Sequence, residues 1–393
     1  MLRAVNCFGE MHATGGPGLF VSGTLEQNAA ALAREYRGKV QLIYLDPPFC
    51  TGSRFLMSKS ARQEPTAAYD DALSLDDYLS LMRLALTTCR EMLAPSGSIY
   101  VHIDYRMGAR VKLLLDELFG ENGFMNEIIW SYKSGGRSTR HYSRKHDTIL
   151  FYRRSPKVYF DISSVGAPRG AQPRNHMKRR IDADGRIYFS IRSGSKTYKY
   201  YEDSLVFPGD VWDDIEHLHQ RDPERTGYAT QKPEALLKRI ILASSREGDL
   251  VADLFAGSGT TSAVCAKLNR NFLALDASPL SLLTFRKRLL VAGNAASFLE
   301  KSHEMRLSYR ESMRLEQEPQ VSVKEEGGVK KLVYEGGTPL AYLAVGRVTE
   351  GIFSPAAYAF SPRATSVLTL AADTPTVLHA CDAQGKMGFY RLE

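Results

Sequence analysis

Apolar runs with strand character alternate with helical segments in two stretches of the chain, one on each side of a basic region. In the first stretch, VQLIYLD ends at Asp46, and the amphipathic segment LSLDDYLSLMRLALTTCREML is ended by Pro95 and Gly97. In the second, QKPEALLKRIILASSREG predicts a helix from near Pro233 to near Gly248, and LVADLF predicts the next strand. Alternating helices and apolar strands indicate an α/β fold with a doubly wound, mostly parallel sheet.

The size and composition of the chain bound its class. It has 393 residues, of which 44% are hydrophobic, so it can bury a large core and hold more than one domain. It contains no apolar run of about 18 residues, and its N-terminus lacks the order of a signal peptide. We therefore expect a cytoplasmic protein with no membrane contact. The five cysteines are scattered without CxxC spacing, which predicts neither a disulfide framework nor a metal site.

One segment makes the chain basic. Residues 131–200 carry 17 Lys or Arg against 4 Asp or Glu, whereas the whole chain has a net charge of +7, so the remainder is net acidic. Tyrosines such as Tyr132 and Tyr142 are interleaved with these cations. Cations bind phosphates and aromatic rings pack on bases, so the segment predicts a nucleic-acid partner, with a merely solvated insertion as the alternative. The expected phosphate contacts are Arg137, Arg140, Arg144, Lys145, Arg179 and Arg180.

The stretch LIYLDPPF places a carboxylate and an aromatic ring at the end of a buried strand. Pro47 and Pro48 cannot continue that strand, and each restricts the residue before it, so the loop is stiff and holds Phe49 in place. Open α/β sheets bind ligands at the carboxyl ends of their strands. The loop is therefore a candidate ligand-binding or catalytic site that includes the Asp46 carboxylate, although a proline turn with a solvated Asp would give the same pattern.

A second constellation, LVADLFAGSGTTSAVCAKLNRNFLALD, has the pattern of a nucleoside-binding unit. A strand ends at Asp253, a turn carries Gly257 and Gly259, and a second strand ends at Asp276, 23 residues after Asp253. This separation is close to the roughly 20 residues of the dinucleotide fingerprint, but the third glycine is missing and there is no P-loop. A nucleoside cofactor without a pyrophosphate fits better. S-adenosylmethionine fits because Asp276 suits its ribose and a nearby acid suits its cationic groups.

Three motifs together resemble the β-type amino-methyltransferases of DNA, the adenine-N6 and cytosine-N4 family of bacterial restriction-modification systems. They are DPPF, TGYATQKPEALLKRIILASS, and AGSGTT after DLF, and the resemblance covers roughly residues 19–290. The catalytic loop comes first, the target-recognition region follows and the cofactor loop comes last, as in that family. The resemblance implies a Rossmann-like S-adenosylmethionine-dependent methyltransferase fold with permuted motif order.

The resemblance also implies roles for individual residues. Asp46, Pro47, Pro48 and Phe49 correspond to the catalytic loop, where Phe49 replaces the commoner Tyr and is expected to keep the stacking but lose a hydroxyl. The implied cofactor residues are Asp253, Phe255, Ala256, Gly257, Ser258, Gly259, Thr260, Thr261 and Asp276, with Gln231, Lys232 and Pro233 opening a helix beside the methionine end.

The predicted reaction is methyl transfer to the N6 amine of a flipped-out adenine, without a metal or a covalent intermediate. Asp rather than Ser at position 46 favours adenine by family resemblance. Cytosine-N4 methylation is the main alternative because both targets are exocyclic amines. An RNA substrate stays open, as does a non-catalytic recognition subunit of a restriction-modification complex. A restriction endonuclease partner and a dimer also stay open.

The predicted organisation has four parts. Residues 1–130 form the catalytic half of the methyltransferase domain, 131–222 a basic target-recognition insert, 223–300 the cofactor-binding half, and 301–393 a helical linker with a small β-rich C-terminal appendage. The polar stretch from Leu299 to Gln320 is expected to be helical.

Several other residues have weaker signals. His102 and Asp104 could line the pocket or be structural, and His141 and His146 are expected to be loop residues. Candidates for framing the DNA or the cofactor are Trp212, Asp213, Asp214 and Tyr228.

Overall fold

The computed structural model describes most of the chain. The described residues are 3–4, 9–12, 18–49, 54–56, 67–70, 73–133, 138–170, 177–228, 230–291, 298–302, 315, 317–326, 329–337, 339–349, 352–371, 377–384 and 386–392. No helix in these ranges is long and apolar enough to cross a membrane.

The described residues up to 119 form seven strands and three helices. They are β1 (Arg3–Ala4), β2 (Gly9–His12), β3 (Gly18–Ser22), α1 (Leu25–Glu35), β4 (Val40–Leu45), β5 (Arg54–Leu56), β6 (Ala67–Asp70), α2 (Leu75–Met92), β7 (Leu93–Ile103) and α3 (Gly108–Phe119). The helix starts follow from capping chemistry. Thr24 and Gln27 form a capping box at α1, and the Ser74 hydroxyl accepts from the Asp77 amide at α2.

The described residues of the middle of the chain form strands, loops and two 3₁₀ turns. Its elements are β8 (Phe124–Ser131), β9 (His146–Arg153), β10 (Ala167–Pro168), β11 (Lys178–Ile181), β12 (Ile187–Ser193), β13 (Lys196–Tyr201), β14 (Leu205–Val206) and β15 (Val211–Trp212), with 3₁₀ turns at Glu121–Gly123 and Ile162–Val165. Strands β11, β12 and β13 form a separate antiparallel sheet that carries many of the basic residues.

The α/β pattern then returns and ends in strands. The remaining elements are α4 (Glu234–Ser244), β16 (Leu250–Asp253), α5 (Thr260–Lys267), β17 (Asn271–Asp276), α6 (Pro279–Val291), β18 (Phe298–Ser302), β19 (Gln320–Glu326), β20 (Val329–Gly336), β21 (Leu340–Thr349), β22 (Ile352–Phe360), β23 (Ser366–Ala371), β24 (Val377–Asp382) and β25 (Met387–Arg391).

Fifteen strands join into one sheet in the order β1-β25-β24-β21-β22-β2-β18-β3-β17-β16-β4-β7-β9-β8-β15. Its centre, from β18 to β7, is parallel, and β9 is antiparallel to both of its neighbours. The C-terminal strands extend this sheet through the β2–β22 pair. Because β4, β16 and β17 are parallel, Asp46, Asp253 and Asp276 all come to the same carboxyl edge.

Helices cover both faces of the central sheet. Along β4, Leu42 and Tyr44 point to a core that includes α4, α5 and α6, whereas Ile43 and Leu45 point to a core that includes α1, α2 and α3. Every residue of β4 is buried, as expected for a strand covered on both faces. Each such Leu or Ile contributes about 1.5–3 kcal/mol by burial. The predicted doubly wound α/β fold with a β-rich appendage is confirmed.

Two details differ from the sequence-based expectation. Phe298–Ser302 is strand β18, so the helix predicted from Leu299 is wrong at its start, because pairing with β3 and β2 outweighs the weak local preference of a polar stretch. Residues 303–314 of that stretch lie outside the described residues. Strand β9 lies in the main sheet between β7 and β8, although the predicted insert of 131–222 includes it. The four-part division stays a prediction.

Candidate active site

The Asp46 carboxylate lies at the centre of the carboxyl edge of the sheet. Its Oδ2 is 2.5 Å from the Lys232 Nζ, and the two side chains are only 16% and 12% exposed. Its Oδ1 is buried and has no hydrogen-bond partner in the described part of the chain. A buried carboxylate oxygen without a donor is costly unless a ligand supplies one. One oxygen of Asp46 is therefore held by the protein, and the other can accept from a ligand.

The ring of Phe49 is held between a cation and an imidazole. The Lys232 Nζ lies 5.1 Å from its centroid, and the His102 ring centroid lies 6.0 Å away. Lys232 thus contacts both the carboxylate and the ring of the proline loop. Its backbone carbonyl also accepts a hydrogen bond from the Thr260 hydroxyl at 3.2 Å, which links the proline loop to the glycine loop.

A buried hydrogen-bonded chain supports the proline loop from behind. The Tyr44 hydroxyl lies 2.8 Å from the His102 Nδ1, and the His102 Nε2 lies 3.1 Å from the Asp147 Oδ2. The Tyr132 hydroxyl donates to the other oxygen of Asp147 at 3.1 Å. His102 is fully buried and does not line the cavity, so it packs behind Phe49 and contributes structure. Asp147 and Tyr132 come from β9 and the end of β8, which only the fold brings to this edge.

The glycine loop turns sharply between β16 and α5. Gly257 and Gly259 have φ angles of +51° and +74°, which residues other than glycine rarely adopt. A Cβ at Gly259 would lie 2.6 Å from the Phe285 ring, so this position also leaves no space for a side chain. The Asp253 carboxylate accepts from the Thr261 hydroxyl at 2.6 Å and from the Phe255 amide at 3.1 Å, which fixes the loop.

The two acids of the glycine loop differ in their surroundings. Burial, with smaller contributions from the charges of Asp46 and Asp276, raises the pKa of Asp253 to about 7. Burial also raises the pKa of Asp276, although its two oxygens accept from the backbone amides of Gly257 and Ser278, each at 2.8 Å. Burial therefore disfavours the ionised form of Asp253 and Asp276 in the cofactor-free protein, and a cationic ligand would favour it.

A cavity of about 470 Å³ joins the proline loop to the glycine loop. The predicted site residues that line it are Asp46, Pro47, Pro48, Phe49, Lys232, Asp253, Phe255, Ala256, Gly257, Ser258, Thr260, Thr261 and Asp276. Gly259, Gln231 and Pro233 do not line it. The Gln231 amide accepts from both the amide and the hydroxyl of Thr226, each at 2.8 Å, and donates to the Glu224 carbonyl, so it shapes the preceding loop.

Sequence reasoning missed one wall of the cavity. Residues 23–26 line it, and the Gly23 amide donates to the Asp276 carbonyl at 3.0 Å. The capping box at Thr24 marks the helix start but not its place in the site. That place follows from the pairing of β3 with β17, which are far apart in the chain.

The weaker candidates fall in different places. Tyr228 lines the cavity. Asp104 pairs with the guanidinium two residues later and does not line it. Trp212 is buried and Asp214 pairs with Arg239 of α4 at 2.5 Å, so neither belongs to the cavity lining.

The predicted DNA contacts lie on two separate features. Arg140, Arg144 and Lys145 lie in the loop after β8, which leaves the sheet at the same edge as Asp46. The Arg144 guanidinium lies 4.1 Å from the Tyr105 ring centroid, and Tyr142 beside it is 98% exposed. The other feature is the three-stranded sheet, where Arg179 is paired with Glu202 at 3.2 Å and Arg180 is exposed. Arg137 lies outside the described residues.

Comparison with known proteins identifies the family. A family model described as DNA methylase, for the N6 and N4 enzymes, matches residues 40–319. The type II methyltransferase M.EcaI of Enterobacter cloacae is 32% identical over 331 residues, which are 71% of this chain and 72% of that protein. The DNA adenine methyltransferase YhdJ of Escherichia coli K12 is 31% identical over 259 residues, which are 65% of this chain and 78% of that protein.

Solved structures with a similar arrangement include the PvuII DNA methyltransferase (cytosine-N4-specific), with a TM-score of 0.47 and 16% identity over 73% of this chain and 91% of that one. The M1.HpyAVI-SAM complex has a TM-score of 0.44 and 19% identity over 70% of this chain and 99% of that one. The family match rests on sequence alone and covers both loops of the cavity. The chain therefore belongs to the N6/N4 DNA methylase family, and it is a DNA methyltransferase whose cofactor is S-adenosylmethionine.

Proposed function

We propose that this chain methylates the exocyclic N6 amine of an adenine that has been flipped out of double-stranded DNA. The observation that carries the proposal is the buried, unpartnered Oδ1 of Asp46, a residue that lines the cavity shared with the glycine loop. The presence of Asp at position 46 and the 31% identity to a DNA adenine methyltransferase support adenine as the target base.

The cavity has the chemical groups that S-adenosylmethionine needs. Phe255 and Leu275 offer apolar surface to its adenine, and Asp276 follows the strand at the position where an acid can accept from ribose hydroxyls. Asp253 and Asp46 offer negative charge to the cationic methionine end. When bound, the cofactor supplies an electrophilic methyl group.

The proline loop suits an amine that is a poor nucleophile. An amine conjugated to a purine ring shares its lone pair with that ring. If the Asp46 Oδ1 and the Pro47 carbonyl each accept one of its hydrogens, they favour a pyramidal nitrogen and strengthen their hold as positive charge develops there. Phe49 offers a face on which the flipped base stacks. The contact of Lys232 with the other oxygen of Asp46 determines which oxygen faces the amine.

Replacing Phe49 tests the stacking role. Stacking of a base on an aromatic ring is worth about 1–3 kcal/mol. We expect Phe49→Ala to weaken the capture of the flipped base, measured by the fluorescence of a base analogue at the target position, while Phe49→Tyr keeps the signal. An undiminished signal with Phe49→Ala would remove Phe49 from this role.

The raised pKa of Asp253 predicts a pH-dependent cofactor affinity. Burial raises the pKa of this carboxyl to about 7, so the folded protein holds the proton to higher pH than the unfolded chain does. The stability that this group contributes to the cofactor-free protein is therefore lost as the pH rises from about 4 to about 7. Because a cationic ligand favours the ionised form, affinity for S-adenosylmethionine should rise across pH 6 to 8, with proton release on binding.

Calorimetric titration with S-adenosylmethionine in two buffers of different ionisation enthalpy measures that proton release directly. Asp253→Asn keeps an acceptor oxygen for the Phe255 amide, and its NH₂ can donate to the Thr261 hydroxyl, but it cannot titrate, so it should show a flatter pH profile. An identical profile in the variant would show that another group is responsible.

The loop after β8 and the three-stranded sheet are proposed to contact the duplex on either side of the target. The cations Arg140 and Arg144 and the exposed Tyr142 would bind phosphates and pack on the DNA. Relatives named as type II methyltransferases support a role in a restriction-modification system, in the cytoplasm with the genome, beside an endonuclease of the same specificity.

Nucleoside analysis tests the proposal. Duplex DNA is incubated with the purified protein and S-adenosylmethionine that carries a labelled methyl group, and the digested nucleosides are separated. Label in N6-methyladenine supports the proposal. Label only in N4-methylcytosine would replace it with the alternative chemistry, and cofactor binding without transfer to any DNA would favour a non-catalytic recognition subunit.

A further inference from the structure

A second cavity lies beside the active site. It has a volume of about 380 Å³, and its lining includes Trp130, His217, His219, Gln220, Arg225 and Gln231. These residues come from the end of β8 and from the loop that precedes α4. None of them belongs to the cavity between the proline and glycine loops.

Contacts through its wall connect this cavity to the catalytic loop. The Trp130 ring meets the His102 ring edge-on, with centroids 5.6 Å apart, and His102 lies 6.0 Å from Phe49. On the other side, Gln231 directly precedes Lys232, which holds Asp46. The Trp130 and His102 rings therefore lie between this cavity and Phe49, so the cavity adjoins the support of the catalytic loop and is distinct from the cavity that Phe49 lines.

Some polar atoms around the cavity already have partners. The Trp130 indole donates to the Ile215 carbonyl at 2.8 Å, and the Gln231 amide is used within its own loop. The His219 Nε2 lies 3.5 Å from a carboxylate oxygen of Glu216. These groups build the walls and are not available to a ligand without rearrangement.

Three other polar side chains are available. The His217 Nδ1 is buried and has no hydrogen-bond partner in the described part of the chain. The side chains of Arg225 and Gln220 make no hydrogen bond or ion pair with any described residue. The His217 ring also packs against the Tyr132 ring, with centroids 5.7 Å apart, and against the His219 ring at 4.9 Å. The cavity therefore combines unpaired polar groups with aromatic walls.

This combination suits a nucleobase better than a phosphate. Phosphates are bound mainly by clustered cations and backbone amides on open surfaces. Here the guanidinium of Arg225 shares a partly open cavity with the Trp130 and His217 rings, and no other Lys or Arg is among the described residues that line it. An arginine fork matches the O6 and N7 acceptors of guanine, and a histidine and an amide extend that pattern.

We propose that this second cavity reads a guanine of the recognition sequence, with Arg225 as the principal contact and His217 as the second. The inference rests on the proposed DNA function. It places sequence readout in the loop before α4, whereas the three-stranded sheet, whose Arg179 and Arg186 are paired with Glu202 and Asp203, contributes backbone contacts.

The test is selection of bound duplexes from a random pool, with the full chain and S-adenosylhomocysteine present. The wild-type protein should select a motif that contains a guanine. Arg225→Ala should lose the preference at that one position, with the other positions retained, and its affinity for the selected duplex should fall about 10- to 100-fold. The matched control is Arg221→Ala, which removes an exposed arginine outside the cavity lining and should leave the motif unchanged.

Arg225→Lys separates base reading from phosphate binding. Lysine keeps the charge but loses the planar fork, so a guanine reader should lose its preference almost as in Arg225→Ala. Affinity that falls equally for all sequences, with every position of the motif kept, would show a phosphate contact and overturn the inference. An unchanged motif in both variants, or a wild-type motif without guanine, would also overturn it.

This readout does not depend on catalysis. If the wild-type protein selects a guanine-containing motif that Arg225 controls but methylates cytosine, the inference stands and the adenine assignment fails. If it methylates adenine and Arg225→Ala leaves the motif intact, the adenine assignment stands and the guanine-reading inference fails. Binding of S-adenosylhomocysteine to each variant verifies that the protein is folded.

Discussion

Asp46→Asn is expected to lower the rate of methyl transfer by about 10³-fold while the affinity for S-adenosylmethionine stays close to that of the wild type. The reason is the orientation that Lys232 imposes. Its ammonium, 2.5 Å from one oxygen of Asp46, should draw the amide oxygen of the asparagine toward itself. The amide NH₂ then takes the place of the free Oδ1 and presents donors to an amine that needs acceptors.

Single-turnover rates and calorimetric affinities measure the two quantities separately. Asp46→Asn is preferable to Asp46→Ala because alanine leaves the 12%-exposed Lys232 without its partner, and the resulting loss of stability would obscure the comparison. Asp46→Glu is the second control, because it keeps the negative charge but moves the carboxylate one methylene farther from the backbone. A near wild-type rate in Asp46→Asn would show that Asp46 does not act on the target amine.

Gly259→Ala is expected to weaken S-adenosylmethionine binding about tenfold or more and to lower the free energy of unfolding. The added Cβ would lie 2.6 Å from a ring carbon of Phe285, which is fully buried in the core beneath the loop. A left-handed conformation costs alanine about 1–2 kcal/mol, and overpacking adds about 1–3 kcal/mol. The loop must move to relieve the contact, and its amides and Asp253 move with it.

Gly248→Ala is the matched control for this change. Gly248 has a φ of +80°, close to the +74° of Gly259, but a Cβ there would meet nothing within 4 Å. It should therefore lose stability through its backbone conformation alone and bind the cofactor normally. Chemical denaturation and calorimetric titration of both variants provide the comparison. Equal cofactor affinity in the two variants would show that the packing of Gly259 on Phe285 does not shape the site.

The proline loop and the glycine loop could be predicted from the sequence because neighbouring residues determine where each loop begins and how it turns. A buried strand followed by Asp46 and two prolines, and a strand followed by Gly257 and Gly259, each specify a turn at a strand end. The shared edge then follows from the α/β alternation. This explains why most of the predicted site residues line one cavity.

Other features depend on which distant segments become neighbours. The wall at residues 23–26 depends on the pairing of β3 with β17, and the support from Asp147 depends on β9 lying between β7 and β8. Gln231 belongs to a motif beside the site, but its amide is used by Thr226 and Glu224. Strand β18 replaces a predicted helix because sheet pairing outweighs local preference.

The measurement that most directly tests the central claim is expression of the protein, and of Asp46→Asn, in a host that lacks DNA methylation, followed by sequencing that reports modified bases. We predict N6-methyladenine at one short motif with the wild-type protein and none with the variant. N4-methylcytosine alone, or a genome without any modified base, would contradict the account.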